Sequence, residues 1–217
     1  MRSLQDYFLY VTVFITGAVV LIIEILGTRV LAPFYGTTIF VWSSLISVTL
    51  GALALGYFFG GYLADKRPQK KLLYGIIFLA GLLTSLLVKV SEPVLLFSDA
   101  FGFQWGPLVA TSVLFTLPLC LFGMVTPFAV RLRVLSLEHT GHVAGTIFAV
   151  ATVGSVLGAI LAGFYFMPNF FFPTVFLVVG ATSMAVGVLG LLLERVHGKM
   201  ILGSLLLGIV VLSASPA

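Results

Sequence analysis

The sequence predicts an all-α fold: a polytopic bundle of transmembrane helices with about seven spans. Hydrophobic residues make up 60% of the 217 residues and charged residues only 8%, whereas a soluble domain is about 45–50% apolar and about 25% charged. The apolar residues form runs of about 20, the length that crosses a bilayer as a helix. Segments of about ten residues that alternate apolar and polar side chains, as the strands of a membrane barrel do, are not found.

Breaks that are charged or rich in turn residues separate seven candidate spans. They lie near residues 7–28, 38–63, 72–90, 107–130, 143–165, 173–193 and 199–214. The seventh is the weakest, because it is shorter than the roughly 17–25 residues of most spanning helices. The first run is too long, and carries Glu24 too deep, for a cleavable signal peptide. We therefore expect residues 1–217 to form a single transmembrane domain.

Basic residues predict the orientation of the spans. Most of the 11 Lys and Arg residues fall at the N-terminus and in the second, fourth and sixth connections, which all face one side. By the positive-inside rule that side is the cytoplasm. The sequence thus predicts a multi-pass protein of the cell (inner) membrane with a cytoplasmic N-terminus. The net charge of +4 is explained by topology, and no nucleic-acid partner is expected, because no soluble basic face exists to bind one.

Catalytic and metal-binding signatures are missing from the sequence. The connections are too short for a soluble catalytic domain of ordinary size. The motifs GxGxxG, GxxxxGK[ST], GxSxG and HExxH do not occur. Cys120 is the one cysteine, so the chain has neither a CxxC pair nor a thiolate metal cluster. We expect no catalytic residue, no metal and no cofactor in this chain, so any chemistry would take place within or beside the bundle.

Small residues and prolines predict how the helices pack. A helix face made of small residues lets two helix backbones approach closely. Such a face serves static packing or, alternatively, a sliding interface of the kind that transporters use. Pro118 and Pro127 predict a kink in the fourth span. The small residues recur at helical spacing in the fifth, second and sixth spans: Ala151, Ser155, Ala159 and Gly163 beside Gly154, Gly158 and Ala162; Ala52, Gly56 and Gly60; and Gly180, Ser183, Gly187 and Gly190.

Two charged residues of the first span form a candidate cation or charge-pair site. Glu24 lies in LIIEILGTRV, where an ionised carboxylate is costly unless it faces the bundle interior, a wet cavity or a cation. Arg29 follows five residues later, roughly 140° around the helix and about 7.5 Å along it, so a direct pair within the helix is not expected. Either the helix distorts near Gly27 and Pro33, or each charge meets a partner on another helix.

The segment GGYLADKRPQKK, residues 60–71, closes the second span. Its residues Gly61, Asp65, Lys66 and Arg67 resemble the loop signature of major facilitator transporters, in which a carboxylate at a helix end meets a basic tract and a neighbouring helix terminus. The resemblance implies a bundle like half of such a transporter, and two halves would have to meet to form a midplane site. The alternative is a topogenic turn, in which a proline ends the helix and the charges are solvated.

A longer stretch, residues 21–68, resembles the membrane-embedded N-terminal region of spermidine synthase-like (polyamine aminopropyltransferase-related) proteins. The matching elements are Glu24 with Arg29, LAPFYGT at 31–37, Trp42 and residues 51–65. Residues 117–132 and 141–168 look like the fourth and fifth spans of that family. These proteins carry a multispan bundle ahead of a soluble catalytic domain with a Rossmann turn, and this chain lacks that domain. Aminopropyl transfer is therefore assigned to no residue present, and enzyme activity stays open.

The chain also departs from the pattern of that family in its fifth span. Gly145 is followed by Thr146 where the family usually has Gly-Arg, and Phe148 replaces a usual Tyr. Beyond the proline that closes the span, the family's usual glycine is replaced by Asn169 and three phenylalanines.

These resemblances predict two functions of different classes. The first is a multispan membrane module that anchors or serves a polyamine-synthesis-like partner and binds or passes a cationic small molecule near Glu24. The alternative is a half-sized transporter that dimerises to move a small solute. The candidate partners are accordingly the lipid bilayer, a soluble synthase-like domain or subunit, a polyamine or other cationic ligand, and a second copy of the chain.

Overall fold

A computed structural model describes residues 2–134 and 140–194, with side chains from residue 6 onward. Within these residues the protein is helical throughout and contains no strand, which confirms the all-α prediction. The helices are α1 (Arg2–Tyr35), α2 (Ile39–Lys66), α3 (Lys70–Asp99), α4 (Gly102–Gly123), α5 (Val125–Arg133), α6 (Thr140–Ile160), α7 (Met167–Asn169) and α8 (Phe172–Leu193), with a π-helical segment, Leu161–Phe166, between α6 and α7.

Six helical stretches of the described chain are long and apolar enough to cross a membrane, which fits a membrane location. Within the described residues the number of spans is thus about six, not the seven predicted for the whole chain, and the seventh candidate, near 199–214, lies outside them. We number these stretches as spans one to six: Asp6–Tyr35, Ile39–Lys66, Lys70–Asp99, Gly102–Arg133, Thr140–Asn169 and Phe172–Leu193.

The fourth span is interrupted at Met124, between α4 and α5. Pro127 has no N–H to donate to the carbonyl of Gly123, and its ring crowds that carbonyl. At the interruption itself, the Met124 N–H donates both to the Cys120 carbonyl, at 3.1 Å, and to the Leu121 carbonyl, at 3.2 Å. Pro118 lies inside α4, which continues past it. The interruption of the fourth span thus lies close to the second of its two prolines.

The spans pair in a pattern that relates the first three to the last three. The most extensive contacts join span three to span six, span one to span five, and span two to span four. The pairing is symmetric: if span one is exchanged with span four, span two with span five and span three with span six, the same three pairs result. Because three is an odd number of crossings, the two triplets traverse the membrane in opposite directions. An inverted repeat would produce this pattern of contacts and directions.

Glycines make the closest of these helix contacts, as the small-residue rows predict. On span five, a β-carbon at Gly158 would lie 2.5 Å from the Ala18 carbonyl oxygen of α1, and one at Gly154 would collide with the Phe14 carbonyl. The Ser155 hydroxyl donates a hydrogen bond to the Gly17 carbonyl at 3.0 Å. The prediction fails at Gly163, where a β-carbon would have no neighbour within 4 Å. The preceding backbone has become π-helical there, which shifts the helical spacing of the row.

The other two pairs are equally close. Between spans two and four, a β-carbon at Gly60 would lie 2.6 Å from the Cα of Met124. Between spans three and six, one at Gly81 would lie 2.6 Å from the Gly180 carbonyl oxygen. Backbone-to-backbone packing of this kind supplies van der Waals contact that lipid cannot match. Packing at glycine therefore holds each of the three helix pairs together.

The two ends of the bundle differ in chemistry. One end, which we call the charged end, carries three ion pairs: Arg133 with Asp6, Arg131 with Asp65, and Lys70 with Glu194. The basic connections thus share one end with the start of span one, as the charge distribution predicts. The other end, which we call the aromatic end, contains the C-terminus of α1 and the phenylalanines of residues 166–172. There the Tyr35 and Ser98 hydroxyls hydrogen-bond at 2.8 Å in a buried position.

Candidate functional site: a cleft between four spans

A small cavity lies where spans one, two, four and five meet. It has a volume of about 80 Å³, and each of the four spans contributes to its wall, for example through Val20, Tyr57, Thr126 and Ser155. Spans one and two belong to the first triplet of the inverted repeat, and spans four and five are their counterparts in the second. We call this cavity and the helix faces around it the central cleft. In transporters that are built from inverted repeats, substrate sites lie at the interface between the repeats.

Neutral polar groups line the central cleft among apolar walls. The hydroxyl of Thr16 donates a hydrogen bond to the Thr12 carbonyl, at 2.9 Å, and the hydroxyl of Ser155 donates one to the Gly17 carbonyl. In the part of the chain that the structure describes, the hydroxyls of Tyr57 and Thr126 make no hydrogen bond. A hydroxyl oxygen accepts hydrogen bonds. The cleft therefore offers two acceptors that the protein itself does not use.

Glu24 extends this lining toward the aromatic end. Val20 and Leu21 line the cavity, and Glu24 follows them by four and three residues, so it lies one turn further along the same face of α1. The midpoint of span one falls between Val20 and Leu21, which places Glu24 about 5 Å beyond it along the helix axis. The residue is half-buried. Among residues 6–134 and 140–194, no basic side chain forms an ion pair with it.

Arg29 does not share a site with Glu24. It is exposed and lines a different cavity, at the aromatic end, together with Pro33 and Asn169. The helix does not break near Gly27 or Pro33, because α1 runs to Tyr35, and neither charge has an ion-pair partner on another described helix. Within the described residues, neither a break of α1 nor an ion pair with another helix accounts for these two charges. The angular separation along α1 turns one charge toward the cleft and the other toward the end of span five.

The loop motif forms a contact between spans two and four. Arg131, in the last turn of α5, donates from Nε to the Asp65 Oδ1 at 2.9 Å. Lys66 lies over the Tyr62 ring, 4.3 Å from its centroid, and the Arg67 N–H caps α2 on the Leu63 carbonyl at 2.8 Å. The side chain of Asp65 is 74% exposed and that of Arg131 46%. Such an exposed pair stabilises a fold by at most about 1 kcal/mol.

Gly61, the remaining motif residue, faces span four, but the packing there does not require a glycine. A β-carbon there would lie 4.0 Å from the Pro127 Cβ, which is ordinary van der Waals contact. The motif thus faces the broken part of the fourth span, where α5 leads to Arg131. The carboxylate at the end of α2 thus meets the C-terminal turn of α5.

The ion pair between Asp6 and Arg133, also at the charged end, is more enclosed than the one between Asp65 and Arg131. The sequence alone does not show that these two residues meet. Arg133 Nη1 lies 2.6 Å from Asp6 Oδ2, and its guanidinium lies 5.4 Å from the Tyr10 ring centroid. The only sequence signal for it is that both residues fall on the same predicted side. It joins spans one and four, whereas Asp65 and Arg131 join spans two and four. Three of the four spans around the central cleft are thus tied together at the charged end.

The groups around the cleft suit an amine better than a metal ion. Among the described residues, no three His, Cys, Asp or Glu side chains come together, and metal sites in proteins use several charged or strongly donating ligands. A protonated amine needs one opposite charge and a few acceptors. Glu24 supplies the charge, and the hydroxyls of Tyr57 and Thr126 supply acceptors.

Comparison with known proteins gives no match to a family model, to a curated protein or to a solved structure. The resemblances to spermidine synthase-like proteins and to major facilitator transporters therefore stay predictions.

Proposed function

We propose that this chain is a six-span membrane module that holds a small cationic solute in the central cleft and passes it across the bilayer when a second six-span unit covers the cleft. The observation that carries the proposal is Glu24: a half-buried carboxylate near the middle of span one, on the face that lines the cleft, with no ion-pair partner in the described chain. A visiting amine is the missing countercharge.

Electrostatics favour a cation at this position. An ionised carboxylate loses several kcal/mol of hydration when it leaves water, and an opposite charge offsets that loss only at close range. The net charge of +4 does not keep an amine away, because salt screens charges beyond a Debye length of about 8 Å. The methylene groups of a polyamine would contact Val20 and Leu53, which line the cleft. A short diamine or polyamine thus matches both the charge and the walls.

The span pairing supports passage through the cleft as well as binding. Inverted repeats place a substrate site at the repeat interface, and rocking of the repeats opens it to either side in turn. In this chain the ion pairs Asp6–Arg133 and Asp65–Arg131 tie the cleft spans together at the charged end. Glu24 lies on the other side of the cavity, toward the aromatic end. These two ion pairs support a cleft that is closed at the charged end.

One side of the cleft is exposed, and we expect a second unit to cover it. Spans two and five flank it, and their most apolar stretches are only 39% and 22% buried, against 50% or more for each of the other four spans. Tyr57, which lines the cleft, is itself 44% exposed. A second copy of the chain placed against spans two and five would enclose Tyr57 and shield Glu24 from lipid.

Site-directed cross-linking tests this arrangement. In a Cys120→Ala background, Tyr57→Cys is expected to form a disulfide between two copies in lipid. The wild-type protein is expected to take up labelled spermidine in proteoliposomes. Leu79→Cys is the matched control, because Leu79 is 45% exposed but lies on span three, away from the cleft. Equal cross-linking at both positions, or a monomer in lipid with no spermidine uptake, would contradict the proposal.

The resemblance also predicts that the module anchors a synthase-like partner. This role rests on residues 21–68, 117–132 and 141–168 of the sequence alone, and the geometry of the cleft is independent of it. Co-purification of a Rossmann-type aminopropyltransferase encoded beside this chain is the expected result if the anchoring role exists.

A further inference from the structure

A larger cavity lies at the aromatic end, away from the central cleft. It has a volume of about 340 Å³ and lies between the last turns of α1 and the connection from span five to span six. Its wall is mostly apolar and aromatic, with Phe166, Phe170 and Phe171 among the lining residues, and Arg29 is the one charged residue that lines it. The connection contains Asn169 and the three phenylalanines that depart from the synthase-like pattern.

Three features make this cavity electropositive. The guanidinium of Arg29 carries a full charge and has no acidic partner among the side chains of residues 6–134 and 140–194. The 22-residue helix α8 begins at Phe172 and has no side-chain cap. Pro173 has no N–H, but the N–H groups of Phe172 and Thr174 and the positive end of the helix dipole are available to a ligand. The Asn169 amide donates one N–H to the Tyr165 carbonyl at 2.7 Å and retains a second.

We propose that this cavity binds the phosphate group of a membrane phospholipid. A guanidinium beside a helix N-terminus is a favourable arrangement for phosphate oxygens, and the aromatic wall suits the glycerol backbone and the first methylene groups of the acyl chains. The depth also fits, because Arg29 lies six residues before the end of α1, about 9 Å along the axis, where lipid headgroups meet the hydrocarbon. This site does not depend on the proposed function of the central cleft.

Native mass spectrometry with phosphatidylglycerol as the probe tests the lipid site. Wild-type protein released from detergent is expected to retain a phosphatidylglycerol adduct, and Arg29→Gln is expected to reduce its occupancy at least about tenfold, as the loss of a charge-assisted contact implies. Arg29→Lys should restore part of the occupancy. Lys89→Gln is the control, because Lys89 is another exposed cation but does not line the cavity, and it should leave the adduct unchanged.

Further outcomes overturn the proposal. Equal occupancy in wild type and Arg29→Gln would show that the adduct lies elsewhere. Retention of decyl phosphate without retention of phosphatidylglycerol would assign the cavity to a free amphiphilic phosphate instead of a lipid. If Arg29→Gln does not fold, Asn169→Ala replaces it: a several-fold loss of phosphatidylglycerol supports the site, and unchanged occupancy overturns it.

Discussion

Replacing Glu24 with glutamine is expected to weaken spermidine binding by about 10- to 100-fold, because a contact to a charged group contributes about 1.5–3 kcal/mol. Glutamine keeps the size of the side chain and removes only the charge. The measurement is the dissociation constant for spermidine by isothermal titration of the protein in lipid nanodiscs. Glu92→Gln is the matched control, since Glu92 is an exposed carboxylate near the end of span three, and it should bind as wild type does.

The same variant should behave differently without ligand. Because Glu24 is half-buried and lacks an ion-pair partner in the described chain, removing its charge takes away a desolvation cost. Ligand-free Glu24→Gln is therefore expected to melt at or above the temperature of the wild type, and spermidine should raise the melting temperature of the wild type only. Lower stability of ligand-free Glu24→Gln, or equal spermidine affinity in the two proteins, would count against an amine at this residue.

Replacing Gly56 with leucine is expected to separate spans two and four. A β-carbon at Gly56 would collide with the Cys120 carbonyl and lie 2.9 Å from the Cα of Gly123, and a backbone cannot move aside as a flexible side chain can. Overpacking of this kind costs about 1–3 kcal/mol and more when backbone must shift. We expect little monodisperse protein on size-exclusion chromatography and a lower melting temperature for what remains.

Gly51→Leu is the control for this packing prediction. Gly51 lies on the same helix, five residues earlier, and a β-carbon there would have no neighbour within 4 Å. It should express and melt as the wild type does. If Gly56→Leu behaved like Gly51→Leu, the close approach of spans two and four would not exist in the membrane.

Much of the fold could be predicted because it depends on local patterns. Runs of about 20 apolar residues define six of the spans, and glycines at helical spacing, such as Gly154 and Gly158, mark a contact face. The break in the fourth span follows from the missing N–H of Pro127. Gly163 shows the limit of this approach, because the π-helical segment changes the spacing that the prediction assumes.

The candidate site could be predicted only in part. Glu24 can be identified from the sequence because a charged residue within an apolar run is energetically costly and is usually functional. Its surroundings are not visible, since Tyr57 and Thr126 reach the cleft through the pairing of spans far apart in the chain. The spacing of Glu24 and Arg29 shows that they diverge, but it does not say which helix each one faces. That information lies in tertiary packing.

The most direct test of the central claim is protection of Glu24 from dicyclohexylcarbodiimide, which modifies carboxyl groups within membranes, followed by peptide mass spectrometry. The claim predicts that 1,8-diaminooctane slows modification of Glu24, whereas 1,8-octanediol, of the same length but uncharged, does not. Modification at one rate with the diamine, with the diol and with neither would contradict it, because no amine would then occupy the cleft beside this carboxylate.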